Sequence, residues 1–189
     1  MRNDKQGFRE SIRKLLNNLS SEQKDFKSKC LSQLLKAYFQ KKEVDSHFII
    51  GGFAPLDDEP NWKIELSKKD FDLSFPALDE NGQMNFYRSE FDQLESSKEF
   101  GAKVLIPSNK NDKVSPDLVL VPGVVFNYQG KRIGRGKGFY DRCLPRLGSN
   151  LKIGICFDEQ LIDKNIPVEE HDQSVDVIVT DLRVLELSA

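Results

Sequence analysis

Residues Pro116–Asn127 read PDLVLVPGVVFN, and residues Gly130–Arg142 read GKRIGRGKGFYDR. The first is the most apolar run in the chain, broken by one Pro–Gly pair. The second packs four glycines and five basic residues around a single aspartate. A continuous β-branched run of this kind is the pattern of a strand in a largely parallel sheet. Open sheets of that type bind ligands at the loops leaving the carboxyl ends of their strands. A flexible, cationic segment that directly follows such a strand is therefore expected at the ligand-binding edge.

Reading outward, short apolar runs alternate with helical segments through the second half. LKIGICF and VDVIVTD read as strands and EQLIDKNIP as a helical turn, while GFYDRCLPRLG reads as a helix cut short by Pro145. Toward the N-terminus, HFIIGGFAP, FDLSFPAL and QMNFYRS read as strands, PNWKIELSKK as a short helix, and SEFDQLESSKEFG as a helical turn ending at Gly101. From Lys5 to about Gln40 the period is helical, with an apolar stripe through Phe8, Ile12, Leu15, Leu16 and Leu19. The break at LSSEQ offers Ser20 or Ser21 as N-cap, with Gln23 in reach of Ser20 as a capping-box partner, and a second stripe runs through Phe26, Cys30, Leu34 and Leu35 to Tyr38. The expected architecture is α/β: three layers, α/β/α, with a largely parallel sheet, the N-terminal helices packed on it, and residues 1–189 forming one domain.

Composition narrows the functional classes. The 189 residues are 38% hydrophobic and 31% charged, as in water-soluble globular chains. Apolar stretches are far too short to span a bilayer, and the opening MRNDKQGFRESIRK lacks the apolar core of a secretory signal. Cys30, Cys143 and Cys156 are odd in number and show no metal-ligand or CxxC spacing, so reduced thiols and a cytoplasmic location are expected. The net charge of −2 gives no footprint for a nucleic-acid backbone, and no nucleic-acid motif is present. Positive charge is local instead, which suits a small polyanion better than a polymer.

The glycine segment matches none of the three familiar phosphate motifs. A P-loop needs GxxxxGK[ST], but Lys137 is followed by Gly138; the dinucleotide fingerprint needs GxGxxG, but the spacing is GxGxG; and no HRD or DFG element accompanies a kinase loop. The shared chemistry still applies. Alternate glycines permit positive φ and let main-chain N–H groups converge on an anion, with Arg132, Arg135 and Lys137 adding full charges. Residue types alone leave this open against a flexible basic turn. Asp141 is equally open between metal ligand and helix N-cap, and Lys5 and Arg9 read on spacing alone as an exposed pair on one helical face.

The segment DLVLVPGVVFNYQGKRIGRGKGFYDRCL closely resembles the signature DLxxxPGxxFdxxGxRlGxGxGYYDr of the 5-formyltetrahydrofolate cyclo-ligases, also called 5,10-methenyltetrahydrofolate synthetases. KQGFRESIRKLLNNLSSEQ is similar to the family's N-terminal KxxxR helix, and IPVEEHDQSVDVIVTD to its C-terminal segment; the middle third agrees loosely. The resemblance implies an ATP- and Mg2+-dependent ligase that closes 5-formyltetrahydrofolate, a small-molecule substrate, to 5,10-methenyltetrahydrofolate; a monomer with no nucleic-acid or membrane partner is expected, although the sequence leaves the oligomeric state open.

By the same resemblance, Lys5 and Arg9, together with Arg132, Ile133, Gly134, Arg135, Gly136, Lys137, Gly138, Phe139 and Tyr140, are expected to contact ATP. The segment from Arg135 to Phe139 is expected also to border folate, along with Ala54 and Glu59, although Asp57 or Asp58 could take the place of Glu59. Lys137 and Arg135 are the expected catalytic cations, and Asp141 and Asp172 the magnesium ligands. Phe53 and Trp62 are read as core, and His171 as an exposed loop residue without chemistry. Phe139 stands where the family commonly has tyrosine, which keeps the ring and removes a hydroxyl. The alternative function is a silent paralogue that binds folate or nucleotide without turnover.

Overall fold

The structure is a computed structural model that describes residues 4–66, 71–101, 103–110, 112–148 and 150–187. Two helices open it. In α1 (Lys5–Asn17) the Asp4 carboxylate caps the first turn by accepting the Gly7 N–H. In α2 (Ser21–Lys41) Ser20 and Gln23 form the capping box read from the sequence, each side chain accepting the other residue's main-chain N–H.

The strands are β1 (Ile49–Gly51), β2 (Asp72–Leu78), β3 (Met84–Arg88), β4 (Leu94–Ser97), β5 (Val104–Pro107), β6 (Lys113–Val114), β7 (Leu118–Pro122), β8 (Val125–Asn127), β9 (Arg132–Ile133), β10 (Leu151–Ile155), β11 (Leu161–Ile162), β12 (Val177–Val179) and β13 (Val184–Glu186). Eight of them form the main sheet in the order β13-β12-β10-β7-β1-β2-β3-β6. The run β12-β10-β7-β1-β2 is parallel, and antiparallel strands close both edges. The largely parallel sheet is as expected. β8, β9 and β11 make a separate three-stranded sheet, and β4 pairs with β5.

Alternation along β7 divides the core. Leu118 and Leu120 face one side, where Leu31, Leu35 and Phe39 of α2 pack on them together with Ile153, Ile155, Val177 and Val179. Val119 and Val121 face the other side, against Phe126, Leu161 and the short helix α3 (Phe139–Cys143). The second layer is thus made mostly by the small sheet and one short helix, which ends in a 3-10 turn, Leu144–Leu147, containing Pro145.

Several local expectations change. α1 packs through Ile12 and Leu16 on Val124, Val125, Ile133, Phe157 and Ile166, so of the two N-terminal helices α2 covers the main sheet and α1 covers the small one. Leu15 and Phe26 drop out of their stripes, at 49% and 70% exposure. The buried face of α2 centres on Leu31, Leu35 and Phe39, and Phe26 lies five positions before Leu31, about 140° round the helix. PNWKIELSKK forms no helix over Trp62–Glu65; Ser67–Lys69 lie outside the described residues. Trp62 is drawn fully into the core instead, and Ser32 Oγ both donates to the Trp62 carbonyl (2.7 Å) and accepts the Glu65 N–H (2.8 Å). The helical turn expected to end at Gly101 is confined to Phe91–Gln93, and the residues after it pair as strand β4.

Candidate active site

A cleft of about 460 Å³ opens beyond the carboxyl ends of β1 and β7, where Phe53 and Ala54 follow the one and Gly123 follows the other. One wall is the glycine segment from Arg132 to Asp141, and Ala54, Leu56 and Glu59 face it. Lys5 and Arg9 of α1 and the stretch holding Glu169, His171 and Asp172 close one end; Pro76, Met84, Phe100, Val104 and Leu105 supply an apolar surface. Apart from the alternatives Asp57 and Asp58, every residue singled out for ATP, folate or metal lines this one cleft: Lys5, Arg9, Ala54, Glu59, Arg132, Ile133, Gly134, Arg135, Gly136, Lys137, Gly138, Phe139, Tyr140, Asp141 and Asp172. The apolar group Phe100, Val104 and Leu105 was not read from the sequence, because VLIP by itself is the pattern of any short strand.

The glycine wall is built from its own backbone. β9 anchors it: the Ile133 carbonyl accepts the Val124 N–H at 2.8 Å. Gly136 and Gly138 then take φ of +99° and +65°, the left-handed region that side chains rarely enter, and α3 begins immediately after. Arg9 Nε donates to the Gly134 carbonyl at 2.8 Å, drawing that oxygen toward α1. Because the two ends of a peptide unit point oppositely, the Arg135 N–H is turned the other way. No acceptor among the described residues meets the main-chain N–H groups of residues 134–138. Successive free N–H groups beside cations form an anion-binding concavity.

The cations around it differ in how they are held. Lys5 Nζ lies 2.6 Å from Asp172 Oδ2 and 3.3 Å from Glu169. Arg132 is buried, and its Nη2 donates to Asp141 Oδ1 at 2.6 Å while its Nε has no partner. Burial lowers the Arg132 pKa, with Asp141 opposing. Arg135 crosses the cleft to Glu59 Oε1 at 2.8 Å and to Asp58. Lys137 makes no ion pair among the described residues.

Of the three acidic residues left open on the substrate loop, Glu59 faces the cleft, Asp58 holds Arg135 beside it, and Asp57 is exposed. Burial pushes the Glu59 carboxyl above its ordinary range, with Arg135 opposing. The Tyr140 hydroxyl is buried without a partner, and burial drives its pKa upward, so it stays protonated as a donor. Phe139 stacks edge-to-face on Phe100, ring centroids 4.9 Å apart. Trp62 is core, with Nε1–H donating to the Phe53 carbonyl, and His171 is exposed beside Glu169.

Among the described residues no group of three or more His, Cys, Asp or Glu is placed to hold a metal ion. Magnesium needs less protein than that, because one or two carboxylates with phosphate oxygens and water satisfy it. Asp141 and Asp172 fit that sparse donor set. Asp141 Oδ1 takes Arg132 and the Gln173 N–H, and Asp172 Oδ2 takes Lys5 and the Glu169 N–H; the second oxygen of each has no hydrogen bond among the described residues.

An open α/β sheet with a crevice at its parallel strand ends, walled by a cationic, glycine-rich loop, is the arrangement of a class of small-ligand proteins. Comparison with known proteins narrows it. The sequence profile of the 5-formyltetrahydrofolate cyclo-ligase family matches residues 1–181. The mouse 5-formyltetrahydrofolate cyclo-ligase is 27% identical over 195 residues, covering 93% of this chain and 92% of its own. A probable 5-formyltetrahydrofolate cyclo-ligase from Schizosaccharomyces pombe is 34% identical over 86 residues, a match spanning 40% of this chain and 42% of that protein. The NMR structure of the Aquifex aeolicus 5,10-methenyltetrahydrofolate synthetase superposes with a TM-score of 0.81 at 27% identity, covering 98% of this chain and 93% of that one. A 5,10-methenyltetrahydrofolate synthetase from Mycoplasma pneumoniae shares the fold, with a TM-score of 0.73 at 23% identity over 94% of this chain and 99% of that one. The chain belongs to the 5-formyltetrahydrofolate cyclo-ligase family, whose named members are ligases.

Proposed function

We propose that this protein converts 5-formyltetrahydrofolate to 5,10-methenyltetrahydrofolate with hydrolysis of ATP to ADP and phosphate. The observation that carries the reading is the row of unpartnered N–H groups from Gly134 to Gly138, with the cations Lys137 and Arg9 lining the same cleft. An amide oxygen is a poor leaving group, and ATP supplies the phosphoryl group that lets the formyl oxygen depart while a neighbouring folate nitrogen closes the ring.

The work left to the protein is positioning and charge stabilisation. Gly134 through Gly138 cradle phosphate oxygens with main-chain donors, and Arg9 holds that backbone in register through the Gly134 carbonyl. Lys137, a compact ammonium with no internal partner among the described residues, is suited to the charge that develops on the transferring group. Asp141 and Asp172 would hold Mg2+, which offsets the phosphate charge. Glu59 accepts N–H donors of the folate ring, and Phe100, Val104 and Leu105 give the uncharged part of the substrate an apolar surface.

The test mixes protein, Mg-ATP and 5-formyltetrahydrofolate and follows near-ultraviolet absorbance of the methenyl product. A rise that needs all three components supports the reading; no change at saturating substrates overturns it. Calorimetric folate binding without that rise would mark a silent paralogue.

A further inference from the structure

Arg135 spans the mouth of the cleft. Its Nε and Nη2 donate to Glu59 Oε1 at 3.1 and 2.8 Å, and Nη2 also reaches Asp58 Oδ1. Glu59 lies deepest, its side chain 8% exposed against 29% for Asp58 and 33% for Arg135. The other Glu59 oxygen accepts the Leu56 N–H at 3.0 Å. Each partner of this pair also belongs to a different ligand surface, the guanidinium to the glycine wall and the carboxylate to the wall opposite.

The two halves invite different chemistry. Phosphate oxygens compete for the guanidinium, which binds them bidentately. A heterocycle rich in N–H groups competes for the carboxylate. If the phosphate arrives alone and draws Arg135 away, Glu59 is left as an unpaired carboxylate in a desolvated site, which is costly. If the heterocycle arrives alone, Arg135 loses Glu59 but keeps Asp58 and partial contact with water. When both arrive, each half is paired again.

Resting on the folate and nucleotide reading above, we propose that the Arg135–Glu59 pair is shared between the two substrate surfaces, so that nucleotide and folate favour each other's binding. Asp58 is a positioning residue that keeps Arg135 at the cleft mouth when Glu59 releases it. The coupling needs no movement of the sheet, because both ligands act on one ion pair. It is a property of binding and is therefore reciprocal.

Calorimetry tests it with 5-formyltetrahydrofolate and a non-hydrolysable ATP analogue plus Mg2+, titrated singly and in both orders. In the wild type each ligand is expected to tighten the other by the same factor, between about 5- and 150-fold. Arg135→Met should bring that factor to within about twofold of one. Arg135→Lys, which keeps the charge without the fork, should leave an intermediate value, and Glu59→Gln should lower the factor from the other side. A residue that serves one ligand only would weaken that ligand's Kd and leave the factor unchanged. Both ligands binding the wild type independently, or an unaltered factor in Arg135→Met, overturns the shared pair while the folate and nucleotide reading stands. Failure of either ligand to bind the wild type removes that reading and this inference together.

Discussion

The face of the sheet under α2 and the cleft at its carboxyl end treat polar groups in opposite ways. Under α2 most are consumed: Ser32 Oγ is used twice, Ser28 Oγ accepts the Asn61 N–H, and Trp62 Nε1–H goes to the Phe53 carbonyl, with Asn61 Oδ1 the exception that finds no partner among the described residues. In the cleft, the Tyr140 hydroxyl and Arg132 Nε are buried with no partner among the described residues, and the main-chain N–H groups of the more exposed residues 134–138 meet no acceptor among them. A buried donor without an acceptor costs stability in the free protein. On the function proposed above, the contrast separates a region that holds the fold from one whose pairing depends on a ligand. Substitutions in the two regions should therefore fail in different measurements.

The largest expected effect is on the consumed side. Trp62→Ala empties a fully buried site and breaks the bond to Phe53, and should cost about 3–5 kcal/mol, read as a lower midpoint in denaturant. Lys137→Ala should do the reverse, lowering turnover by roughly 10²–10³-fold, the scale for losing one charge-stabilising donor, with a melting temperature close to wild type. A large loss of melting temperature with intact turnover would place Lys137 on the structural side. Gly136→Ala must hold a side chain at φ +99° and should cost about 1–3 kcal/mol while also weakening nucleotide binding, so that it moves both measurements.

Smaller effects sharpen the same line. Burial pushes the Asp172 carboxyl up, but hydrogen bonds from Lys5 and the Glu169 N–H outweigh it and hold the pKa below the ordinary carboxylate range. A depressed folded pKa contributes stability above the unfolded value, near 3.9, and that contribution is lost as pH falls through the folded one. The acid limb of the stability curve should therefore flatten in Asp172→Asn. Tyr140→Phe removes an orphaned buried hydroxyl and should raise the melting temperature of the ligand-free protein by about 2–4 °C while weakening substrate binding. A fall in both would make the hydroxyl structural.

Local chemistry was legible where it is local. The Ser20–Gln23 capping box, the β7 run, the helix stopped at Pro145 and the glycine segment are each written in adjacent residues, and all are found. The site residues, drawn from four distant segments through a family resemblance, do meet in one cleft. Tertiary choices were not legible. Nothing in the periodicity of α1 says that Ile12 and Leu16 meet the small sheet rather than the large one, and Trp62 overrides the local helical pattern because its burial outweighs propensity. Phe100, Val104 and Leu105 reach the cleft only through the β4–β5 pairing, and the Arg135–Glu59 contact joins residues 76 apart in sequence.

Amide NMR of the isotopically labelled protein during titration with a non-hydrolysable Mg-ATP analogue addresses the proposed phosphate cradle residue by residue. The N–H resonances of Gly134, Gly136 and Gly138 should move farthest downfield, as free donors acquire charged acceptors. Saturable binding that leaves those three unmoved and shifts amides elsewhere would contradict the account.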